Sequence, residues 1–239
     1  MGEVTFLGTG DPLNGERMQT CLALRLALGD VALLDTGSGT STLAALSRSR
    51  LSLESIRHLF ITHRHFDHAG GLAPLLVALT ALPEASLTIP GVEDWLGGRL
   101  RWNKLSPGEA ITVGDAEMTP FEVDHGIECV GLRISQGGHT LIYAADTRPT
   151  VTVVRYAKEA DLLVHEAYGT EREAEQAHRF GHSTAADAGK AALDAGAKRL
   201  VLTHLRASRF ADPTALEVEA TSVFGGPVEV ADDLGVFDF

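Results

Sequence analysis

The chain has 239 residues, 44% of them hydrophobic and 6% aromatic, enough for one large α/β domain with a substantial buried core. A formal net charge of -12 opposes nonspecific binding to long nucleic acids, which relies on clustered Lys and Arg, and suits small substrates better. The two cysteines, Cys21 and Cys129, lie far apart and form no CxxC pair, so neither a disulfide framework nor a cysteine zinc site is implied, and each reads as a small buried apolar residue.

In chain order, residues 4–7 read as a strand entering the turn Gly8-Thr9-Gly10-Asp11-Pro12. Residues 20–28 and 31–34 are expected to form a hairpin joined at Gly29-Asp30. Asp35-Thr36-Gly37-Ser38-Gly39 breaks the second strand, and residues 42–46 begin a short helix. A carboxylate in such a turn caps backbone amides more often than it binds metal, which gives Asp35 a structural or supporting duty. Strand, turn and helix alternate, arguing for α/β layering.

The next stretch concentrates the chemistry. The β-prone Leu59-Phe60-Ile61 is followed by His63, His65, Asp67 and His68, then by Gly70-Gly71 and a mostly apolar segment, 72–82, expected as a buried helix. If strand geometry persists one step further, His63 and His65 project to one side and share an ion. Asp67 and His68 point differently, and one short loop cannot easily wrap a single tetrahedral ion with four near-consecutive side chains. A pair of metals is therefore expected. The apolar run 72–83 is too short to span a bilayer, and no basic region precedes the first strand, so the chain reads as a cytoplasmic protein without a membrane partner.

Residues 87–107 mix Trp95, Arg99, Arg101, Trp102 and Lys104, either as a substrate-holding group or as a surface helix, 92–100, with Trp95 and Leu96 packed inward. Residues 118–123, 129–134 and 140–145 read as strands, with His125 and Asp146 just beyond strand ends. Two further strands, 161–166 and 198–204, end in His165-Glu166 and in His204. Such ends gather at one rim of an open α/β sheet, where clefts form. Thr184 and Asp187 resemble a capping box, which places His182 just before a helix, 185–195, that buries Ala185, Ala188, Gly189 and Ala192. His165 is expected to satisfy a backbone carbonyl, and His58, His139 and His178 to face solvent.

The run His63-Arg64-His65-Phe66-Asp67-His68 matches the HxHxDH motif of the metallo-β-lactamase superfamily. Phe6-Leu7-Gly8-Thr9-Gly10, His165-Glu166-Ala167, Gly181-His182-Ser183-Thr184-Ala185 and Leu202-Thr203-His204 resemble its ribonuclease Z branch, so the likeness covers nearly the whole chain. The resemblance implies a four-layer αβ/βα sandwich, here one domain, 1–239, of two similar αβ halves. It also implies two divalent ions, zinc with manganese as the alternative. His63, His65 and His125 would bind one, Asp67, His68 and His204 the other, and Asp146 would bridge them. Two dications carry four positive charges, so Asp67, Asp146 and a bridging hydroxide bring the balance close to neutral. Water between two metals loses a proton near neutral pH, which makes that hydroxide the expected nucleophile. By the same resemblance His182, with Glu166, protonates the departing oxygen, so Asp67, Glu166 and His182 are the candidate catalytic residues. Dimerisation is a tendency of the family.

The chain departs from the branch at three places. Tyr168 stands where the HEAT motif ends in threonine, and Phe66 replaces a glycine. Residues 131–134 reach Asp146 through 135–145 alone, including the tight Gln136-Gly137-Gly138-His139 turn, with no room for the arm that clamps tRNA. The expected function is a dinuclear phosphodiesterase of ribonuclease Z type acting on small phosphodiesters or short nucleotides. The alternatives are tRNA 3′-end processing without the arm, hydrolysis of lactones, β-lactams or sulfate esters, and metal binding without catalysis.

Overall fold

The chain opens with apolar runs buried on both faces. In the computed structural model, which describes residues 2–80, 87–88, 100–101, 103–206 and 212–239, these runs become β1 (Glu3–Gly8), β2 (Cys21–Arg25) and β3 (Val31–Leu34), paired antiparallel. Strands buried on both sides need no polar alternation, which is why they read as continuous hydrophobic stretches. After α1 (Ser41–Arg48), β4 (Ile56–Phe60) joins β3 in parallel. The chain continues through α2 (Phe66–Ala69), α3 (Leu72–Thr80) and two short parallel strands, β5 (Leu87–Thr88) and β6 (Leu100–Arg101).

The second half repeats the plan. An antiparallel meander, β7 (Ile111–Val113), β8 (Ala116–Glu122), β9 (Val130–Gln136) and β10 (His139–Tyr143), comes first. Parallel strands follow: α4 (Val151–Tyr156) leads to β11 (Leu162–Glu166), α5 (Ala174–Phe180) and α6 (Ala185–Ala195) to β12 (Leu200–Thr203), and α7 (Pro213–Phe224) to β13 (Val228–Val230). The final strand, β14 (Val236–Asp238), returns to pair with β1. Among the described residues each sheet has seven strands, in the orders β14-β1-β2-β3-β4-β5-β6 and β13-β12-β11-β10-β9-β8-β7.

Three apolar clusters define four layers. Phe6, Leu24 and Leu34 of the first sheet pack against Met118, Leu132 and Tyr143 of the second. Outside the first sheet, Leu33 meets Ala45, Leu46, Leu75 and Leu79 of α1 and α3. Outside the second, Leu163 and Leu202 meet Val153, Ala188, Ala192, Leu216 and Ala220 of α4, α6 and α7. This is the αβ/βα sandwich. No helix among the described residues is long and apolar enough to cross a membrane.

Some elements differ from the sequence expectation. β2 ends at Arg25, because the Leu26 amide donates to Asp30 O and the Ala27 amide to Asp115 Oδ1, both outside the ladder. Leu28 then turns left-handed (φ 63°), so β2 and β3 form the expected hairpin through a longer connection that includes a 3-10 turn, Ala27–Gly29. The β9–β10 connection is the expected two-residue turn, with Gly137 and Gly138 both at positive φ (60° and 84°), as a primed hairpin turn requires. Of the helix read at 92–100, residues 92–99 with Trp95 and Arg99 lie outside the described residues, as do Trp102 and the side chain of Arg101, while Leu100 belongs to β6.

Small residues set the spacing between α6 and α7. A Cβ on Gly189 would stand 2.6 Å from the Ala220 carbonyl oxygen, a backbone atom that cannot rotate away. Gly189→Ala should therefore destabilise by about 1–2 kcal/mol in urea unfolding, because overpacking costs roughly 1–3 kcal/mol and outweighs a gain in helix propensity of about 1 kcal/mol. Unchanged or raised stability would mean that the helices separate without cost.

Candidate metal centre

The parallel strands of both sheets end at a common rim and hand over polar groups there. Asp35 follows β3, Thr62 and His63 lie just past β4, Asp146 lies past β10, Glu166 ends β11 and His204 follows β12. Asp35, Ala145 and His204 are left-handed, at φ 63°, 53° and 53°, conformations uncommon without glycine. Surrounding hydrogen bonds hold two of these turns: the Asp35 amide donates to Phe60 O at 2.7 Å, and beyond His204 the Leu205 amide donates to Thr9 O at 2.8 Å. The short α2 carries Asp67 and His68 and begins just after His65. It is tied to the turn after β3 by the Thr36 amide and hydroxyl, which both donate to His68 O.

Two ligand-type groups result, both including Asp146. His63, His65, His125 and Asp146 form one, and Asp67, His68, His204 and Asp146 the other, each with its ligand atoms within 4.8 Å of one another. In the first, His65 Nδ1 lies 3.0 Å from His63 Nε2 and 3.1 Å from His125 Nε2. Asp146 Oδ2 stands 3.7 and 3.9 Å from those two Nε2 atoms. In the second, Asp67 Oδ2 is 3.1 Å from His204 Nε2 and 3.3 Å from His68 Nε2, while Asp146 reaches His68 and His204 at 3.3 Å each. Four ligands about 2.0–2.1 Å from a tetrahedral ion are separated by roughly 3.3 Å, the scale of these contacts.

Tautomers agree with this convergence. His68 Nδ1 donates to Asp35 Oδ2 at 2.8 Å, His125 Nδ1 to Gly181 O at 2.8 Å, and His63 Nδ1 to Thr62 Oγ1 at 3.0 Å, so all three turn Nε2 inward. Neither His68 Nε2 nor Asp146 Oδ1, both buried, has a hydrogen-bond partner among the described residues. Burial alone would lower the pKa of His204, but Asp146 and then Asp67 outweigh it and raise it to about 9. His68 is likewise held well above its usual value against burial, by Asp146 and Asp35. His63 goes the other way, to about 2, through burial first and the neighbouring His68 second, and stays neutral as a ligand must. A nest of buried carboxylates that draws protons onto its histidines is one that divalent cations would neutralise. The residues present fit a dinuclear metal site.

Asp35 supports both groups at once. It accepts the Thr62 amide (2.8 Å), the Thr62 hydroxyl, His68 Nδ1 and the Tyr143 hydroxyl (2.8 Å), and Thr62 in turn orients His63. Its supporting role was legible from its turn, but Thr62 and Tyr143 were not singled out, because nothing local marks them. Asn tolerates the same left-handed backbone, so Asp35→Asn isolates the carboxylate. Metal affinity should fall about 10–100-fold, read by chelator competition, while the fold survives. Wild-type affinity would remove this role.

Beside the second group lies a carboxylate–imidazole pair. His182 Nδ1 is 3.1 and 3.0 Å from the two oxygens of Glu166, and Glu166 Oε1 is also fixed by the Thr147 amide at 2.6 Å. Glu166, His182 and His204 form a third close cluster. Burial disfavours the charged form of His182, but Glu166 and then Asp146 together outweigh it, and its pKa is raised. The capping box of α6 holds both ways between Thr184 and Asp187 and fixes the segment on which His182 sits.

The remaining histidines are placed as follows. His165 Nδ1 lies 2.9 Å from Glu166 O, the carbonyl duty expected of it. His58 lies half-buried in β4, so it meets solvent only in part. His178 and His139 are partly exposed but stand beside carboxylates, Asp187 at 2.7 Å and Asp161 at 3.6 Å. Phe66 is 69% exposed beside the ligands. Cys21 and Cys129 are buried and unpaired, with Cys129 Sγ 3.5 Å from His63 Nδ1.

A sandwich of this topology with paired His/Asp groups at the sheet rims defines a metal-dependent hydrolase. Residues 32–205 match the model of the beta-lactamase superfamily domain, and the chain belongs to that family. Within it the chain is ribonuclease Z-like. It is 30% identical to ribonuclease Z of Haloferax volcanii, over 96% of this chain and 92% of that one. The metallo-β-lactamase fold protein YhfI of Bacillus subtilis superposes with a TM-score of 0.88 at 25% identity, covering 99% of this chain and 98% of YhfI. The short form of human tRNase Z does so with 0.79, also at 25% identity, over 99% of this chain and 98% of that one.

Proposed function

We propose that the chain hydrolyses small phosphodiesters or short nucleotides with two divalent ions, zinc or, as the alternative, manganese. His63, His65, His125 and Asp146 would hold one ion, and Asp67, His68, His204 and Asp146 the other. When bound, such ions supply Lewis acidity toward a phosphoryl oxygen and lower the pKa of water toward about 7. The protein's own part is to hold the ligand histidines in one tautomer, exclude bulk water from the carboxylates, and keep a proton on His182.

The observation that carries the phosphodiester reading is the Glu166–His182 pair. Glu166 occupies Nδ1, which leaves Nε2 as the nitrogen that carries a proton outward, and an alkoxide leaving a phosphodiester needs that proton. The name ribonuclease Z on the relatives supports a ribonucleotide substrate. The two-residue β9–β10 turn, at the place of that branch's arm, and the net charge of -12 favour short over folded RNA. Lactones, β-lactams and sulfate esters are the second class of substrate for the same metal site.

The reading places the enzyme in the cytoplasm, in keeping with two unpaired buried cysteines, as one domain over 1–239, with a homodimer as its assembly. The test is turnover of bis(p-nitrophenyl) phosphate by zinc-loaded, manganese-loaded and metal-stripped protein, with Asp67→Ala as control. Metal-dependent turnover lost in Asp67→Ala supports it. A protein holding two metals without turnover moves the assignment to lactone or lactam hydrolysis.

A further inference from the structure

His182 is gripped on its faces as well as at Nδ1. The buried ring of Tyr168 stacks on it with 5.4 Å between centroids and 24° between planes. The His204 ring is near-parallel as well, at 5.4 Å and 20°, so the imidazole packs against two flat partners. Tyr168 is itself covered by the Arg206 guanidinium, 4.7 Å from the ring centroid. Arg206 Nη1 lies 3.1 Å from Oδ2 of Asp11, a buried carboxylate whose Oδ1 accepts the Leu13 amide. The turn after β1 clamps the same segment from below: the Asp11 amide and Asn14 Nδ2 both donate to Leu205 O at 3.0 Å.

We propose that Tyr168, braced by Arg206 and Asp11, is a positioning residue for His182. The inference rests on the reading of His182 as proton donor. A hydrogen bond at Nδ1 fixes one ring atom and leaves the plane free to swing about that contact. A flat ring against the imidazole face removes the swing and keeps Nε2 aimed at the leaving oxygen. Misplacement of about 1 Å costs on the order of 100-fold, so alignment of a donor is worth that much. The guanidinium suits a contact with the Tyr168 ring because it is planar and cationic, and Lys does not reproduce that stacking. The threonine that ends the HEAT motif has no such face to offer, so in this chain the alignment depends on the ring.

The test uses metal-loaded protein with metal content measured, and compares a dinucleoside monophosphate, which has a poor leaving group, with bis(p-nitrophenyl) phosphate. Tyr168→Ala should lose about 10–100-fold on the dinucleotide and no more than about 3-fold on the nitrophenyl ester, with two metals retained. Tyr168→Phe should recover most of that loss, and Arg206→Lys should show the same split at about 3–10-fold. Equal losses on both substrates, or none, in Tyr168→Ala overturn the inference. Should Tyr168→Ala fail to fold or to hold metal, Arg206→Lys decides, and absence of a split there overturns it. His182→Ala is run alongside to separate two failures. A split in His182→Ala without one in the Tyr168 and Arg206 variants sinks the positioning role alone, whereas no split in His182→Ala sinks the donor reading with it.

Discussion

Asp146→Ala is expected to lose turnover and metal stoichiometry together. Its carboxylate is the group that both ligand sets share: Oδ2 faces His63, His125 and His204, and Oδ1 faces His68. Without it, two dications would face each other across His63, His65 and His125 on one side and Asp67, His68 and His204 on the other, with a single carboxylate to offset them. Metal content should fall from two ions per chain to one or fewer, as measured by elemental analysis after gel filtration. Loss of metal-derived stabilisation worth several kcal/mol corresponds to a fall in kcat/KM on the order of 10³-fold. Thermal unfolding supplies a control independent of activity. Metal should raise the Tm of the wild type, because a ligand that binds the native state stabilises it by mass action, and should raise that of the variant far less. A variant that keeps two ions and their thermal shift would remove Asp146 from the shared position.

The legible part of this site is the part in which ligand type and strand end coincide. His63, His65, Asp67 and His68 fall within one run of six residues, and His125, Asp146, Glu166 and His204 each lie at or just beyond the end of an apolar run, so elementary pattern reading reaches them all as candidates. Supporting groups gave no such signal. Thr62 stands 27 residues from Asp35 and Tyr143 stands 108, and only the sandwich brings them within hydrogen-bond reach. The left-handed backbones of Asp35 and His204 are equally silent, since any polar residue after a strand reads as an ordinary turn. The fold shows the same limit. Local meanders were readable, but β14 completes the first sheet by pairing Asp238 with Glu3 from the far end of the chain. The hairpin of β2 and β3 forms as read, but its turn is longer than Gly29-Asp30, because Asp115, a partner 88 residues away, draws the Ala27 amide out of the ladder.

His182→Ala should separate substrates by their leaving groups. A nitrophenolate departs without a proton and an alkoxide does not, so a general acid matters for the second and not the first. The loss on a dinucleoside monophosphate should be about 10²–10⁴-fold, the usual worth of a positioned acid, and close to none on bis(p-nitrophenyl) phosphate. Equal losses on both would assign His182 to structure. Glu166 adds a pH signature whose sign follows from the geometry. Burial lowers the pKa of His182, but the Glu166 carboxylate 3.0 Å from Nδ1, with Asp146 behind it, leaves it raised. Glu166→Gln removes the larger raising influence and leaves the burial and the weaker pull of Asp146, so the imidazolium gives up its proton at lower pH. Because the protonated ring is the donor, the alkaline limb of kcat for the dinucleotide should move to lower pH in Glu166→Gln, while the profile for the nitrophenyl ester keeps its position. A limb that stays in place, or one that moves for both substrates, would show that the pair does not deliver the proton.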